Sequence, residues 1–301
     1  FLMGEFFSIL CSVFWAGAII FYRLAGEKFP PKLLNLYKNL ISTSLFVLVC
    51  LFVGEKLIPN GFEWIDLILL GVSGFLGITL SDTFLFMSIN RIGASLIGII
   101  EAVYLPFVFL LSAVFFGENI EYRVYLGASL IVLAIVISSI DFEQSKHLPI
   151  KDLMYGIMYG VLAMFFTAFS IVMIKKPFIV EYSVLEKYSA LWSTTARMSL
   201  ALCFLILMYF FGSEKNFFGR MKQRSFWHHV VPGSISGGFL SMGIWIIGMK
   251  LITRVSVGAV LNQLAVVFII VFAALFLREK ITIKKAFSLI LAVIGGLIVI
   301  L

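Results

Sequence analysis

Long apolar stretches of about twenty residues alternate along this chain with short segments rich in Pro, Gly and charge. Twenty apolar residues at 1.5 Å per residue match the roughly 30 Å hydrocarbon core of a bilayer, so each stretch predicts a transmembrane helix. The connections are short, which makes neighbouring helices antiparallel. We predict ten helices, at about residues 4–24, 33–54, 64–89, 94–116, 123–140, 152–174, 184–212, 227–250, 255–277 and 282–301.

Composition supports a membrane environment. The chain is 61% hydrophobic and 13% charged, whereas soluble domains carry roughly 25% charged residues. The net charge of +7 fits Lys and Arg in loops that meet lipid headgroups, so lipid is expected as a partner and nucleic acid is not. Cys11, Cys50 and Cys203 lie in apolar runs without metal-binding spacing, and neither a metal nor a cofactor is expected.

The second half of the chain repeats the first. An offset of 161 residues superposes the third to fifth predicted helices on the eighth to tenth. Matched pairs include Ser73 with Ser234, Gly77 with Gly238 and Glu118 with Glu279, and a slightly different offset places Lys38 over Arg197. A five-helix repeat is odd, so its second copy enters the membrane inverted, an arrangement typical of secondary transporters. We therefore predict an all-α integral membrane fold of two inverted five-helix repeats, 1–141 and 151–301.

Several motifs resemble one transporter family. They are FWAG at 14–17, the basic Lys38, GITLSDT at 77–83, NRIGA at 90–94, Pro106, and the helix endings FGE at 116–118 and LRE at 277–279. Together they resemble the EamA family, the ten-helix type of the drug/metabolite transporter superfamily, over essentially the whole chain. The resemblance implies a carrier, often an exporter, of amino acids, metabolites or drugs.

Few ionisable residues lie inside the predicted helices, and each costs about 2.5–3.5 kcal/mol on insertion scales, so each is a functional candidate. Asp82 and Glu101 lie nine or ten residues on either side of the turn near residue 91, so they should share one depth. Lys38 and Trp15 approach from the same side. These four residues are predicted to surround one cavity.

Two interpretations of these charges stay open. In the functional one, Glu101 with Asp82 binds a coupling proton or a cationic substrate group, and Lys38 is the counter-ion or an anion anchor. In the structural one, Lys38 forms an ion pair with Asp82 or Glu101 that holds helices together.

The second half offers different chemistry. In the repeat alignment Asn262 takes the place of Glu101, with Gln263 beside it. These amides either contact substrate or hydrogen-bond neighbouring helices, and Arg197 either binds a substrate carboxylate or reaches toward an interface. Further candidates for cavity walls are the aromatic residues Trp15, Tyr104, Trp192 and Trp245.

We predict a non-enzymatic secondary transporter that moves small metabolites, namely amino acids or related amphipathic compounds and drugs, by alternating access, with export as the expected direction. We expect it in the plasma (inner) membrane, with protons as the candidate coupling ion and a monomer or weak homodimer as the assembly. The alternative is a phosphorylated-metabolite or nucleotide-sugar antiporter that clamps its anion between Lys38 and Arg197. A remote alternative is an intramembrane protease, from the GVSG sequence at 71–74. Lys and Arg are more numerous in the loops opposite the N-terminus, which predicts the termini outside, whereas the family resemblance implies both termini inside.

Overall fold

A computed structural model describes residues 2–26, 28–56, 58–101, 103–117, 119–139, 149–175, 182–212, 216–276 and 283–300. Within these residues all regular structure is helical. The first half contains α1 (Leu2–Gly26), α2 (Pro31–Val53), α3 (Trp64–Gly74), the π-helical segment π1 (Phe75–Leu80), α4 (Ser81–Glu101), α5 (Tyr104–Phe116) and α6 (Tyr122–Ser139).

The second half has the same order with more interruptions. It contains α7 (Ile150–Lys175), the short α8 (Val184–Lys187), α9 (Ala190–Phe210), α10 (Phe217–Met221), π2 (Phe226–Val230), α11 (Val231–Gly233), π3 (Ser234–Ser241), α12 (Met242–Leu251), α13 (Val255–Asn262), α14 (Ala265–Phe276) and α15 (Ile283–Ile300). Glu118 and Glu279, which close the repeated helices in sequence, lie outside the described residues.

Six helical stretches are long and apolar enough to cross a membrane, and four shorter apolar helices accompany them. The six are Met3–Gly26, Pro31–Val53, Trp64–Ile92, Ile150–Lys175, Ala190–Phe210 and Phe226–Leu251. The shorter four are Tyr104–Phe116, Tyr122–Ile137, Val255–Ile269 and Ala286–Val299. The protein is therefore a multi-pass, all-helical membrane protein.

The predicted break at residues 90–93 is wrong as a loop, because α4 is helical throughout. The chain nevertheless turns there. Ser88 and Ile100 both approach Gly160 of α7, with Ser88 Oγ 3.0 Å and Ile100 Cγ2 2.7 Å from the position that a Cβ on this glycine would occupy. A straight helix would separate these two residues by about 18 Å, so the direction of the chain changes between them.

The long seventh helix predicted at 184–212 is also wrong, because it is interrupted at Tyr188 and Ser189. Ser189 has extended backbone angles and its hydroxyl accepts a hydrogen bond from the backbone N–H of Trp192 at 3.0 Å. Serine in this position caps a helix start by satisfying an amide that has no partner within the helix. The transmembrane helix α9 consequently begins only at Ala190.

The first helix of each half packs mainly against the other half. Helix α1 lies against π3, α12, α13 and α14, whereas α7 lies against α3, π1, α4 and α5. Small residues permit these close approaches, as where Gly156 of α7 meets Ile92 and Gly237 of π3 meets Ala18. The two halves are interlocked rather than side by side.

Two irregularities recur at equivalent positions of the halves. The segment π1, shifted by 161 residues, falls within π3. The break between Glu101 and Tyr104 falls, with the same shift, on the break between Asn262 and Ala265. π-Helical turns and discontinuous membrane helices are both frequent at functional sites.

The two breaks have different causes. Pro106 lacks the N–H that would bond the carbonyl four residues earlier, and its ring clashes with that carbonyl, so the proline interrupts the helix locally. The second half has Val267 at the equivalent position. There the carbonyl of Asn262 accepts a hydrogen bond from Ser12 Oγ of α1 at 3.0 Å, so a tertiary contact accompanies the break.

Candidate substrate cavity

A cavity of about 130 Å³ lies between the two halves, next to both π segments and both helix breaks. It contains every predicted site residue except Trp192. The predicted residues on its wall are Trp15, Lys38, Asp82, Glu101, Tyr104, Arg197, Trp245, Asn262 and Gln263. The shared depth expected for Asp82 and Glu101 agrees with this placement.

Lys38 and Asp82 form an ion pair across α2 and α4. The Lys38 side chain is 1% exposed and the Asp82 side chain 12% exposed. The Lys38 ammonium also lies 5.9 Å from the centre of the Phe86 ring. Of the two pairings that the sequence left open for Lys38, the structure therefore has the one with Asp82, and the two charges neutralise each other.

Arg197 is only 2% exposed, yet its partners are neutral. Its Nε donates to Ser73 Oγ at 3.0 Å and its Nη2 to Ser170 Oγ at 3.2 Å. Its guanidinium lies 5.7 Å from the Trp245 ring. Within the described part of the chain no carboxylate lies within ion-pair distance of it, and Arg197 faces the cavity rather than a membrane interface. A buried cation of this kind is costly unless a counter-charge reaches it.

Glu101 is the last residue of α4 and points into the same cavity. Its carboxylate has no hydrogen-bond or ion-pair partner among the residues that the structure describes. The cavity thus contains two cations and two carboxylates, and among the described residues the ion pair that they form is the one between Lys38 and Asp82. Glu101 and Arg197 remain as an anion and a cation available to a ligand.

Two neutral groups on the cavity wall also lack partners among the described residues. The Tyr104 hydroxyl and the Trp245 indole nitrogen are both buried without a hydrogen bond. Buried polar groups are usually hydrogen-bonded, and an unpaired donor typically costs about 1–3 kcal/mol. Tyr104 and Trp245 can therefore both donate to a ligand in the cavity.

The side-chain amides of Asn262 and Gln263 form hydrogen bonds to other helices. Asn262 Oδ1 accepts from Cys11 Sγ at 3.1 Å and from Ser12 Oγ at 3.4 Å. Gln263 Nε2 donates to the backbone carbonyl of Glu101 at 3.3 Å. Both residues nevertheless border the cavity, so the observed hydrogen bonds join helices while the side chains still shape the wall.

Trp192 lies elsewhere. It borders a second cavity of about 300 Å³, formed by α2, α3 and α9, and packs against Tyr188 in a tilted arrangement with ring centres 4.6 Å apart. Trp192 is five residues from Arg197, which places it about 140° around α9 and nearer the helix start. The prediction that it shares the central cavity is therefore wrong.

Sequence reasoning missed the glycines that let Arg197 and Lys38 approach the π segments. A Cβ on Gly77 would lie 2.7 Å from Arg197 Nη2 and still closer to Ser170 Oγ. A Cβ on Gly238 would meet Ser42 Oγ and would lie 3.4 Å from Lys38 Cγ. The sequence signal for them was the match of Gly77 with Gly238 at the offset of 161 residues. In each half this glycine lies next to the buried cation of the other half.

Polar contacts also join the halves at the ends of helices and in the loops. Glu121 pairs with Arg254, and with its neighbour Arg123 at 2.5 Å. Hydrogen bonds from these two guanidinium groups hold the pKa of Glu121 below its usual value. Lys187 bonds Asp66 and Glu63, at 2.8 and 2.6 Å. The first contact connects the residues just before α6 with those just before α13. The second connects α8 with the start of α3.

Ser73, the serine of the GVSG sequence, is a hydrogen-bond partner of Arg197. Ser73 Oγ accepts from Arg197 and donates to the backbone carbonyl of Ser170 at 2.7 Å. His228 accepts from Arg224, and His229 bonds Ser225; His147 lies outside the described residues. The described residues also contain no group of three or more His, Cys, Asp or Glu side chains that could hold a metal.

Comparison with known proteins identifies the family. The sequence profile of the EamA-like transporter family matches residues 2–140 and again residues 154–301. The chain belongs to this family. A curated relative, an uncharacterized transporter of Archaeoglobus fulgidus, is 24% identical over 304 residues, covering 98% of this chain and 96% of the relative. A crystal structure of a protein superposes with a TM-score of 0.76 at 17% identity, over 99% of this chain and 98% of that one.

These comparisons agree with the all-helical fold. The solved structure, at this identity, supports the fold alone. The EamA family match and the transporter relative together make this chain a membrane transporter.

Proposed function

We propose that this EamA-family protein is a secondary active transporter of small amphipathic metabolites, with amino acids as the preferred class. The observation that carries this proposal is the central cavity, in which Arg197 lacks a carboxylate and Glu101 lacks a cation among the described residues. A zwitterion supplies both missing charges. The substrate carboxylate would bind Arg197, with Tyr104 and Trp245 as additional donors, and the substrate ammonium group would bind Glu101.

The walls suit an amphipathic substrate. Trp15, Tyr104 and Trp245 offer aromatic surface, and Leu85 and Met164 are among the aliphatic residues of the lining. An apolar substrate side chain therefore gains burial while its charged groups meet the two unpaired side chains. The balance of charge in the cavity explains why a neutral zwitterion fits better than an ion with net charge.

Glu101 also supports proton coupling. When the substrate ammonium group leaves, a proton on Glu101 neutralises the carboxylate in its place. Proton and substrate would then occupy the site alternately, as an exchanger requires. Two inverted five-helix repeats, residues 1–141 and 151–301, would rock around this cavity to expose it to each side in turn. Ten transmembrane helices, export across the plasma (inner) membrane and a monomer or weak homodimer complete the proposal.

The alternative, an antiporter of phosphorylated metabolites or nucleotide sugars, needs Lys38 and Arg197 as a joint clamp. Lys38 is already paired with Asp82, so a dianionic phosphate would meet one free cation and the carboxylate of Glu101. The arrangement therefore favours the zwitterion.

Transport in proteoliposomes tests this function. The panel contains aromatic and aliphatic amino acids, a cationic amine without a carboxylate and a phosphorylated metabolite, each with and without a pH gradient. The proteins are wild type, Glu101→Gln, Arg197→Gln, Lys38→Gln and, as a control on the exposed face of α6, Ser129→Ala. We expect gradient-driven amino-acid flux in wild type and in Ser129→Ala.

The two cavity variants should differ. Glu101→Gln should lose the response to the gradient. Arg197→Gln should raise KM for amino acids at least about tenfold, because a charge-assisted hydrogen bond contributes roughly 1.5–3 kcal/mol, while the carboxylate-free amine stays unaffected. Flux of the phosphorylated metabolite that ignores the gradient and Glu101→Gln, but fails in Arg197→Gln and Lys38→Gln, would establish the antiporter instead.

A further inference from the structure

The two equivalent helix breaks differ in the hydrogen bonds that hold them to neighbouring helices. At the second break, Ser12 Oγ donates to the carbonyl of Asn262 at 3.0 Å and lies 3.5 Å from that of Leu261. Cys11 and Ser12 also bond the Asn262 side chain. Helix α1 thus fixes this break at the backbone and at the side chain.

Among the residues that the structure describes, the first break has no such attachment. The offset of 151 residues that superposes Phe14 on Phe165 places Ala163 of α7 where α1 has Ser12. Alanine has no hydroxyl to donate to a free carbonyl. The described contact to the free carbonyl of Glu101 comes instead from Gln263 Nε2, at 3.3 Å. That amide belongs to the second break, so one break holds the other across the interface of the halves.

Backbone carbonyls freed at a membrane helix break need a partner, since lipid provides none. Where several strong partners are present the break is rigid, and where a single long hydrogen bond is present it can open at lower cost. The break next to Pro106 is the weakly held one, and it carries Glu101.

We propose that the Glu101–Tyr104 break is the moving hinge of this carrier and that Gln263 is its positioning residue. The side-chain amide of Gln263 holds the backbone of Glu101 in place from the opposite half, so that relative movement of the halves changes where the Glu101 carboxylate points. The second break, fixed by Ser12, stays rigid and acts as the support. The role of the hinge in transport rests on the proposed function, whereas the existence of the hinge does not.

Hydrogen–deuterium exchange of the full-length protein in nanodiscs tests the hinge without any substrate. Gln263→Met keeps side-chain length and removes the donor, and Ser12→Ala is the matched control at the other break. Gln263→Met should speed amide exchange at residues 103–105 and 107 about fivefold, with little change at 264–268. Fivefold equals about 1 kcal/mol at 1.4 kcal/mol per factor of ten. Ser12→Ala should show the reverse pattern. Unchanged or evenly raised exchange in Gln263→Met overturns the proposal.

Transport kinetics of the same variants separate positioning from substrate contact. If Gln263 positions the hinge, Gln263→Met should change turnover about threefold or more while KM changes less than about twofold. A raised KM with unchanged turnover would make Gln263 a substrate contact and overturn its positioning role. Failure of wild type to transport any compound of the panel would refute the proposed function, whereas the exchange pattern would still decide the hinge.

Discussion

The ion pair between Lys38 and Asp82 makes a sharp energetic prediction. Lys38 is 1% exposed, and no second carboxylate pairs with it among the described residues. Asp82→Asn therefore leaves a buried cation without a counter-charge. Losing one partner of a buried pair costs roughly 3–5 kcal/mol. Because the Asp82 side chain retains 12% exposure, we expect the lower end, about 3 kcal/mol of unfolding free energy.

The assay is reversible SDS unfolding of the purified protein in mixed micelles. The double variant Lys38→Met/Asp82→Leu should recover to within about 1 kcal/mol of wild type, because replacing a whole buried pair by apolar residues is often neutral or stabilising. The control is Asp152→Asn, which breaks the exposed pair with Arg91 and should cost less than about 1 kcal/mol. A cost below about 1 kcal/mol for Asp82→Asn, or a double variant as unstable as the single one, would refute the burial argument.

Three further outcomes follow from the contacts described. Gly77→Ala should destabilise the protein by about 1–3 kcal/mol in the same unfolding assay and abolish amino-acid flux, because its Cβ would collide with Ser170 Oγ and displace Arg197. Arg197→Lys should bind amino acids nearly as poorly as the glutamine variant in equilibrium binding, since a lysine cannot reproduce the forked contacts of the guanidinium. Arg254 helps to keep the pKa of Glu121 low, so this pair stabilises the protein above the ordinary glutamate pKa and loses its effect as the pH falls. The melting-temperature difference between wild type and Glu121→Gln should be positive at about pH 7 and should vanish as the pH falls through the lowered pKa of Glu121.

Much of this architecture could be predicted from sequence. Apolar length located five of the six membrane-length helices to within a few residues, because the bilayer thickness sets that length. The sixth, Ala190–Phe210, begins later than predicted. The depth argument correctly brought Asp82 and Glu101 to one cavity with Lys38. The sequence also contains the cause of one helix break, because Pro106 lies in the fourth predicted helix and the structure has the break just before it.

Other features depend on tertiary contacts and leave little trace in the sequence. The break after Asn262 has no proline, and it is accompanied by a serine from α1 some 250 residues away. Trp192 is a tryptophan, like the cavity residues Trp15 and Trp245, and lies on the same helix as Arg197. Its angular position on α9 nevertheless places its side chain in another cavity. Which acid would pair with Lys38 also could not be predicted, since Asp82 and Glu101 lie at the same depth.

Because α1 and α7 each pack mainly against the opposite half, the order of synthesis constrains how the protein assembles. Helix α1 ends at Gly26, but its main neighbours begin with π3 at Ser234, so at 5–20 residues per second it waits roughly 10–40 seconds for them. Throughout that interval Ser12 and the other polar groups of α1 face lipid or a membrane insertase instead of the second half. The nascent first half therefore cannot mature alone, and truncated chains should be recognised by the cell as unassembled and degraded.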